Sequence, residues 1–219
     1  GYLTADPEIG ADVADLFNYL TGYSHKDSYR KLLVAPVTLK REMIARIERE
    51  AQRQREHGDG YLAFKLNGVR DPEIIMSLYK ASQEGVRVDL NVRGLCALRP
   101  GVKGLSDNIR VNSIVGRFLE HARIYYFRNG GQEEVFLGSS DMMPRNLKRR
   151  VEVLFPVLDE EYRRKLVDEI LPIHLRDNVK SRDMLPDGTY MKRRTAKGEE
   201  RVDSQDWLIK NRGSWHREE

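Results

Sequence analysis

The order of predicted elements between Tyr61 and Arg93 constrains the fold of this chain more than any other feature of its sequence. The segments YLAFKLN and VRVDLNVRG are both typical of strands. Between them, DPEIIMSLYKASQEG is predicted as a helix, with Asp71 as its N-cap, Pro72 in its first turn and Gly85 after its end. A strand, a helix and a strand in this order place the two strands parallel and adjacent, with a right-handed crossover. The sequence therefore predicts an α/β fold.

Further helices and strands are predicted on both sides of this unit. Apolar residues recur at helical spacing in residues 12–20 and 159–175, and Thr38 begins a charged helix that runs to Arg55. Strands are predicted for KLLVAPV, IRVNSIVG, ARIYYF, EVFLGSS and VEVLFPV, and the loop RNGG between the third and fourth of these is a hairpin signal. The predicted fold class is α/β, with a mixed sheet flanked by helices on both faces. Periodicity fades after Arg176, so the rest is predicted as a poorly packed surface tail with a short terminal helix or strand.

Composition and charge limit the class of protein. The chain has 219 residues, of which 40% are hydrophobic and 33% charged, so it can bury a core. Its longest apolar runs, such as residues 32–37, are far shorter than the roughly 18 residues of a membrane span, and no signal-peptide layout begins the chain. We therefore expect a cytoplasmic protein. The single cysteine, Cys96, excludes an internal disulfide and disfavours a cysteine metal site. The net charge of +4 permits polyanion binding without requiring it.

Side chains suited to phosphate lie at predicted strand ends and in adjoining loops. Asn67 and Arg93 follow the two parallel strands, whose carboxyl ends are where open α/β sheets usually bind ligands. In LEHARIYYF, strand alternation places His121 and Arg123 on one face. Phosphate sites use cationic donors in a fixed fork together with hydroxyl and amide donors. The residues that supply this chemistry are Arg93, Ser106, Asn108, His121, Arg123, Ser139, Ser140, Arg145 and Asn146.

Structural roles compete with these assignments. A histidine at the start of a strand is more often structural than catalytic. Lys65 either faces the site or is an ordinary strand-edge lysine, and Asn108 either binds phosphate or caps the turn before IRVNSIV. Arg145 and Asn146 either bind phosphate or belong to a solvated charged turn, and the basic residues of the tail are solvent-exposed or attract polyanions weakly.

Several ordered segments of this chain resemble the C-terminal region of bacterial polyphosphate kinases. These are FKLNGVRDPEIIMSLYKASQEGVRVDLNVRG, GRFLEHARIYYFRNGG and GSSDMMPRNLKRRVEVLFPV. The resemblance runs from about Gly1 to about Lys180. It implies an enzyme that reversibly transfers the terminal phosphoryl group of ATP to inorganic polyphosphate. It also divides the chain into residues 1–24, the tail of a preceding domain, residues 25–180, a phospholipase D-like C-terminal domain, and residues 181–219, a basic C-terminal tail.

The C-terminal half of that family resembles phospholipase D, whose domains carry the motif H-x-K-x4-D and a later G-S-x-N. The matching positions here are His121, Arg123, Gly138, Ser139 and Asp141. Arginine thus replaces the lysine of the motif, and aspartate replaces the asparagine. Arg128 stands where the acidic residue of the first motif would fall. The loss of that carboxylate fits a domain that binds and orients phosphate better than one that hydrolyses diesters unaided.

The resemblance implies a role for each matching residue. Arg93 in VRG and His121 in LEH match positions that line the nucleotide phosphate pocket of the family. His121 is predicted to be catalytic, as an acid or base that assists phosphoryl transfer, while Arg93 neutralises charge on the transferred group. The predicted ATP- and phosphate-binding residues are Arg93, Asn108, His121, Arg123, Ser139, Arg145 and Asn146. No residue is predicted to bind a metal. The Mg²⁺ ligands and the histidine that becomes phosphorylated are expected outside this chain, so we expect it to be inactive alone.

The resemblance also predicts partners. ATP or ADP and inorganic polyphosphate are the expected substrates, and the upstream domains and a second copy of the enzyme are the expected protein partners. No specific nucleic acid partner is expected, and peripheral association with the inner membrane is an option for the parent enzyme. Two other functions stay open, a phospholipase D-like phosphodiesterase half and a non-catalytic polyanion-binding module. Arg128 and Asp141 argue against the first, and the VRG and LEH motifs argue against the second.

Overall fold

A computed structural model describes residues 2–212 and shows nine strands in one mixed sheet. The strands are β1 (Leu33–Ala35), β2 (Tyr61–Leu66), β3 (Arg87–Val92), β4 (Ile109–Ile114), β5 (Ile124–Phe127), β6 (Glu134–Gly138), β7 (Glu152–Pro156), β8 (Ser181–Met184) and β9 (Tyr190–Lys192). The helices are α1 (Pro7–Leu20), α2 (Leu39–His57), α3 (Pro72–Gln83), α4 (Pro144–Lys148), α5 (Glu160–Arg164), α6 (Leu171–Arg176) and α7 (Ser204–Lys210). One wide helical turn, Lys165–Ile170, joins α5 to α6.

The sheet order is β1-β7-β6-β5-β2-β3-β4-β8-β9. The strands β2, β3 and β4 are parallel, and every other pairing is antiparallel. In the register, Lys65 of β2 lies opposite Asn91 of β3 and Ile124 of β5. The carboxyl ends of the three parallel strands, the start of β5 and the end of β6 therefore lie at the same side of the sheet, which we call the carboxyl edge.

Alternation along the central strands builds a core on each face of the sheet. Phe64 and Tyr125 pack edge to face, with ring centroids 5.1 Å apart, in the larger core that includes apolar side chains of α2 and α3. Ala63 and Tyr126 point to the other face and pack with Leu171 of α6. Both faces of the sheet are thus covered by helices, and the predicted mixed sheet with flanking helices is confirmed.

Local sequence signals explain how the helices begin. Oδ1 of Asp71 accepts hydrogen bonds from the main-chain N–H groups of Glu73 (3.1 Å) and Ile74 (3.2 Å), so the predicted N-cap of α3 is present. Thr38 precedes α2 but its side chain does not cap that helix. Its hydroxyl instead accepts a hydrogen bond from the main-chain N–H of Val34 at 3.0 Å. No helix within residues 2–212 is long and apolar enough to cross a membrane.

The predicted poor packing of the tail is wrong for residues 181–212, whereas the predicted short terminal helix is present as α7. Strand β8 extends the sheet beside β4, and β9 pairs with β8. The Asp177 carboxylate accepts hydrogen bonds from the main-chain N–H and the hydroxyl of Ser204, both at 2.8 Å, so the start of α7 is buried. Backbone pairing and polar contacts stabilise this segment, which is why it carries little apolar periodicity. Residues 213–219 of the predicted tail lie outside the described residues.

The N-terminal helix packs on the same domain. The buried Asp12 carboxylate of α1 accepts hydrogen bonds from the main-chain N–H groups of Arg30 (2.9 Å), Lys31 (2.7 Å) and Leu32 (2.9 Å). These contacts anchor α1 beside β1. The assignment of residues 1–24 to a preceding domain stays a prediction, and Gly1 lies outside the described residues.

Candidate functional site

Arg93 lies at the carboxyl edge because it directly follows β3. Its Nε donates a hydrogen bond to Oδ1 of Asn67, which follows β2, at 2.8 Å. Its carbonyl oxygen accepts a hydrogen bond from the hydroxyl of Ser113 at 3.1 Å. The next residue is Gly94, and a Cβ there would lie 2.8 Å from the carbonyl oxygen of Asn67. The ends of β2 and β3 approach closely because this residue is a glycine.

Asp141 connects the end of β2 to the start of β5. Its Oδ1 accepts a hydrogen bond from the main-chain N–H of Asn67 at 2.7 Å. Its Oδ2 accepts from Nη2 of Arg123 at 2.9 Å, and a longer contact of 3.3 Å joins Nε of Arg123 to Oδ1. Asp141 and Arg123 are both buried, and this two-contact geometry is the strong form of an arginine–carboxylate pair.

The ring of His121 is exposed and is held by the same arginine. Nη1 of Arg123 lies 2.9 Å from Nδ1 of His121 and donates to the His121 carbonyl oxygen at 2.8 Å. A guanidinium group only donates hydrogen bonds, so we assign Nδ1 as the acceptor, and Nη2 of Arg123 lies 3.5 Å from Nε2 of the same ring. The hydrogen bonds thus run without a break from Arg93 through Asn67, Asp141 and Arg123 to His121. His121 and Arg123 are in contact, but both precede β5, which begins at Ile124, so the predicted strand alternation does not account for the contact.

A second network holds Glu120, the neighbour of His121. Its Oε2 lies 3.1 Å from Nζ of the buried Lys65 and accepts from Nε2 of His174 at 2.7 Å. Nδ1 of His174 lies 2.6 Å from the carbonyl oxygen of Ile170, so both ring nitrogens have an oxygen partner. Gln205 of α7 donates to Oε1 of Glu120 at 2.9 Å.

The charges in this second network shift two pKa values. Burial alone would raise the pKa of Glu120, but the hydrogen bond from His174 and the nearby charge of Lys65 bring it down to about 2. Burial lowers the pKa of Lys65, and the carboxylate of Glu120 opposes that effect. The contacts that run from Arg93 to His121 and the contacts around Glu120 hold two adjacent residues. The position of this chain segment is therefore fixed from both sides.

Of the other predicted site residues, Ser139 and Arg145 are exposed and Asn146 is buried. Ser139 lies exposed at the end of β6, and its hydroxyl accepts from the main-chain N–H of Val153 at 3.3 Å. Arg145 is exposed on α4, which starts at the carboxyl edge because the Met142 N–H donates to the carbonyl oxygen of Gly68. Ser139 and Arg145 therefore border the network. Asn146 is buried and donates to Glu152 at 2.6 Å, so its amide N–H is already used within the domain.

Asn108 does not belong to this site. It precedes β4, whereas Arg93 follows the parallel strand β3, so the two residues lie at opposite ends of the strands, about 20 Å apart for strands of six residues. Its side chain donates to the carbonyl oxygen of Ser82 at 2.8 Å. The alternative structural reading of Asn108, a residue that stabilises the turn before β4, fits the structure.

Sequence reasoning did not identify Glu120, His174 and Gln205 as parts of the site. Glu120 has a local signal, because it directly precedes His121, and a histidine within the apolar segment LPIHL is a weaker one. Gln205 lies 85 residues from Glu120 in the chain and has no such signal. The site is an open surface. A cavity of about 710 Å³ lies elsewhere, beside β3, β4 and β8, and contains none of Arg93, His121 or Arg123.

The fold and this edge define an α/β domain with a cationic site at the carboxyl ends of its parallel strands. The chain belongs to the polyphosphate kinase C-terminal domain 2 family, whose sequence model matches residues 32–205. The resemblance inferred from the sequence is therefore confirmed, and the match extends past the boundary predicted at residue 180.

Relatives and solved structures agree with this family. The chain is 51% identical over 205 residues to a polyphosphate kinase of Synechocystis sp., covering 94% of this chain and 28% of that protein. It aligns with the crystal structure of polyphosphate kinase from Porphyromonas gingivalis at a TM-score of 0.91 and 39% identity, covering 96% of this chain and 32% of that one. Nuc, a phospholipase D family member from Salmonella typhimurium, aligns at a TM-score of 0.49 and 14% identity over 71% of this chain and 97% of that one, which is too distant to inform function. The chain spans about three tenths of the length of the polyphosphate kinases.

Proposed function

We propose that this chain is the nucleotide- and polyphosphate-binding part of a polyphosphate kinase, which transfers the γ-phosphoryl group of ATP to polyphosphate and runs in reverse. The observation that carries the proposal is the unbroken hydrogen-bond network from Arg93 to His121. It places two guanidinium groups and one exposed imidazole at the carboxyl edge, where open α/β sheets bind their ligands.

Arg93 supplies donors for phosphate oxygens. Its Nε is bound to Asn67, and its two terminal nitrogens make no hydrogen bond with any residue from 2 to 212. A guanidinium group held at Nε presents its terminal N–H groups in a fixed plane, which suits two phosphate oxygens at once. Arg93 therefore neutralises charge that develops on the transferred phosphoryl group.

His121 supplies a proton-transfer group next to that anion. The hydrogen bond from Arg123 to Nδ1 orients the ring, and an imidazole can give or take a proton near neutral pH. In this proposal the covalent phosphohistidine forms outside this chain, and His121 assists the transfer to and from it. Arg123, Ser139 and Arg145 add positive charge or hydrogen bonding around the phosphates.

The carboxylates of the site do not fit a Mg²⁺ ion. Asp141 is bound by Arg123 and by the main chain of Asn67, and Glu120 is bound by Lys65 and His174. Within residues 2–212, no group of three or more His, Cys, Asp or Glu side chains is arranged to hold a metal. Any Mg²⁺ that accompanies ATP is therefore assigned to substrate phosphates and to groups outside this chain.

The proposal includes the setting of the parent enzyme. It places that enzyme in the cytoplasm, with ATP or ADP and polyphosphate as substrates. The upstream domains and a second copy of the enzyme are its protein partners. The family match and the relatives named polyphosphate kinase support the substrates and the upstream domains in this proposal.

Calorimetric titration of the 219-residue chain with ATP and with inorganic tripolyphosphate tests the proposal. We expect Arg93→Gln to weaken both ligands by roughly 10- to 100-fold, because it removes a charge-assisted hydrogen bond worth about 1.5–3 kcal/mol. Arg164→Gln, on the exposed face of α5, is the matched control. Equal binding by the two variants would reject the assignment of Arg93. Hydrolysis of a phosphodiester by the chain would favour the phosphodiesterase alternative instead.

A further inference from the structure

Four exposed cationic side chains surround a depression at the open end of the β8–β9 hairpin, where β8 begins and β9 ends. They are Lys180, Lys192, Arg194 and Arg201. We call this depression, of about 610 Å³, the basic depression; its other lining residues are Asn178, Val179, Arg193 and Thr195. The lining contains no carboxylate, and none of the four cations makes an ion pair with any other residue that the structure describes.

The loop that carries two of these cations is fixed by Asn178. The side-chain amide of Asn178 donates to the carbonyl oxygen of Glu200 at 2.8 Å and accepts from the N–H of Val202 at 2.9 Å. The hydroxyl of Thr195 donates to the carbonyl oxygen of Asn178 at 3.3 Å. These contacts anchor residues 195–202, a segment that contains Arg201 and directly follows Arg194. The main chain that carries these two cations is therefore held in place by contacts within the domain.

The basic depression lies level with Arg93 across the sheet. Asn91 pairs with Asn112, so Arg93 is level with Ile114, and Ile114 pairs with Ser181 of β8. The N–H of Arg193 donates to the carbonyl oxygen of Ser181 at 3.0 Å, which brings the end of β9 to the same edge. Three strand spacings separate β3 from β9, or about 14 Å.

We infer that the basic depression is a second binding surface for inorganic polyphosphate, which holds the part of the polymer that extends beyond the phosphates at Arg93. The inference rests on the proposed function, since it assigns the same polymer to both places. A linear polyanion carries closely spaced negative charges and can bridge the distance between two cationic sites at one edge. Because no aromatic side chain lines the depression, it lacks the stacking platform that single-stranded nucleic acid sites use.

Binding of long polyphosphate and of tripolyphosphate to the 219-residue chain, measured over a range of salt concentrations, tests the inference. The variant is the double substitution Lys180→Gln and Arg194→Gln. The matched control is Lys103→Gln and Arg110→Gln, which removes the same charges from exposed residues near the opposite edge. Neutralising two phosphate-binding cations is expected to weaken long polyphosphate and to reduce its salt slope by about 2. We expect tripolyphosphate binding to stay unchanged, because that ligand is short enough to bind at Arg93 alone.

The control separates a local site from a general effect of charge. Equal losses of long-polyphosphate affinity in the two double variants, or no loss in either, would overturn the inference. The inference would also be overturned if Lys180→Gln with Arg194→Gln weakened the binding of single-stranded RNA or of phosphatidylserine vesicles as much as that of long polyphosphate. The depression would then be a general anion surface. The proposed function fails separately, if Arg93→Gln leaves ATP and tripolyphosphate binding intact. Unchanged melting temperatures of both double variants, expected for exposed side chains, verify folding.

Discussion

Nη1 of Arg123 lies 2.9 Å from Nδ1 of His121, and the other side of the same guanidinium group binds Asp141. The orientation of an exposed histidine ring therefore depends on a buried ion pair. The substitution of His121 and the substitution of Asp141 should consequently have different effects, the first on proton transfer and the second on the stability of the site.

Replacing His121 tests its role in proton transfer. In a polyphosphate kinase that contains this chain, His121→Ala should lower turnover by roughly 10²–10⁴, the range expected for the loss of a general acid or base. His121→Gln should be nearly as damaging, because glutamine keeps a hydrogen-bonding side chain but cannot exchange a proton near neutral pH. Steady-state assays in both directions measure the effect. Near-normal turnover of a folded His121→Ala enzyme would remove His121 from the mechanism.

Replacing Asp141 tests the buried ion pair. Asp141→Asn leaves the guanidinium group of Arg123, which is only 9% exposed, without an anionic partner. The free energy of unfolding should fall by about 3 kcal/mol, as expected when one member of a buried pair is removed, and urea denaturation measures it. Glu160→Gln, which breaks an exposed pair with Arg164, is the control and should leave the denaturation midpoint unchanged. Equal midpoints for the two variants would contradict the assigned role of Asp141.

The low pKa of Glu120 predicts a specific acid sensitivity. The pKa of this carboxyl is about 2 in the folded chain and 4.5 in an ordinary environment, so the folded form binds its proton less readily than the unfolded form. The stability that Glu120 contributes is present above about pH 4.5 and is lost as the pH falls towards 2. The loss is on the order of 3 kcal/mol.

Denaturation midpoints measured between pH 6 and pH 2.5 test this prediction, with the steepest change centred near pH 3, about midway between the two pKa values. Glu120→Gln should lower stability at pH 6 and flatten the decline at acidic pH, because glutamine does not titrate. An identical decline in the variant would show that other carboxyl groups cause the acid sensitivity.

Gly94 provides a steric test of the approach between β2 and β3. In Gly94→Ala, the new Cβ would lie 2.8 Å from the carbonyl oxygen of Asn67, so the main chain must shift and Arg93 must move with it. We expect lower stability together with weaker tripolyphosphate binding. Gly10→Ala is the control, since a Cβ at that position in α1 meets no atom within 4 Å. It should stabilise the chain by about 0.5–1 kcal/mol through helix propensity, as thermal unfolding can show.

The sequence was sufficient to predict the central part of the fold because its signals there are local. Asp71 and Pro72 mark the start of α3, and the flanking apolar strands leave little choice of topology. The tail was predicted wrongly because β8, with the sequence SRDM, has no apolar alternation, and its pairing with β4 is a long-range interaction. Short strands of this kind depend on their neighbours more than on their own residues.

In the candidate site, too, the sequence revealed contacts between residues close in the chain but not contacts between distant ones. His121 and Arg123 are in contact because they are two residues apart in the chain, although both precede β5. The contact between Asn67 and Asp141 joins residues 74 positions apart, which a single sequence does not reveal. The sequence left open whether Lys65 faces the site or is an ordinary strand-edge lysine. The structure shows a buried lysine paired with Glu120 beside the site.

The pairing of β8 with β4 also determines how the domain avoids self-association. Without residues 181–192, β4 would become an edge strand with unpaired N–H and C=O groups beside a largely buried apolar face. Such an edge is a template for strand addition between molecules and for aggregation. The exposed Lys192 of β9 instead places charge at the new edge, a common protection in sheet proteins. A shorter version of the chain that ends near residue 180 would thus lose its protection against intermolecular β-sheet formation.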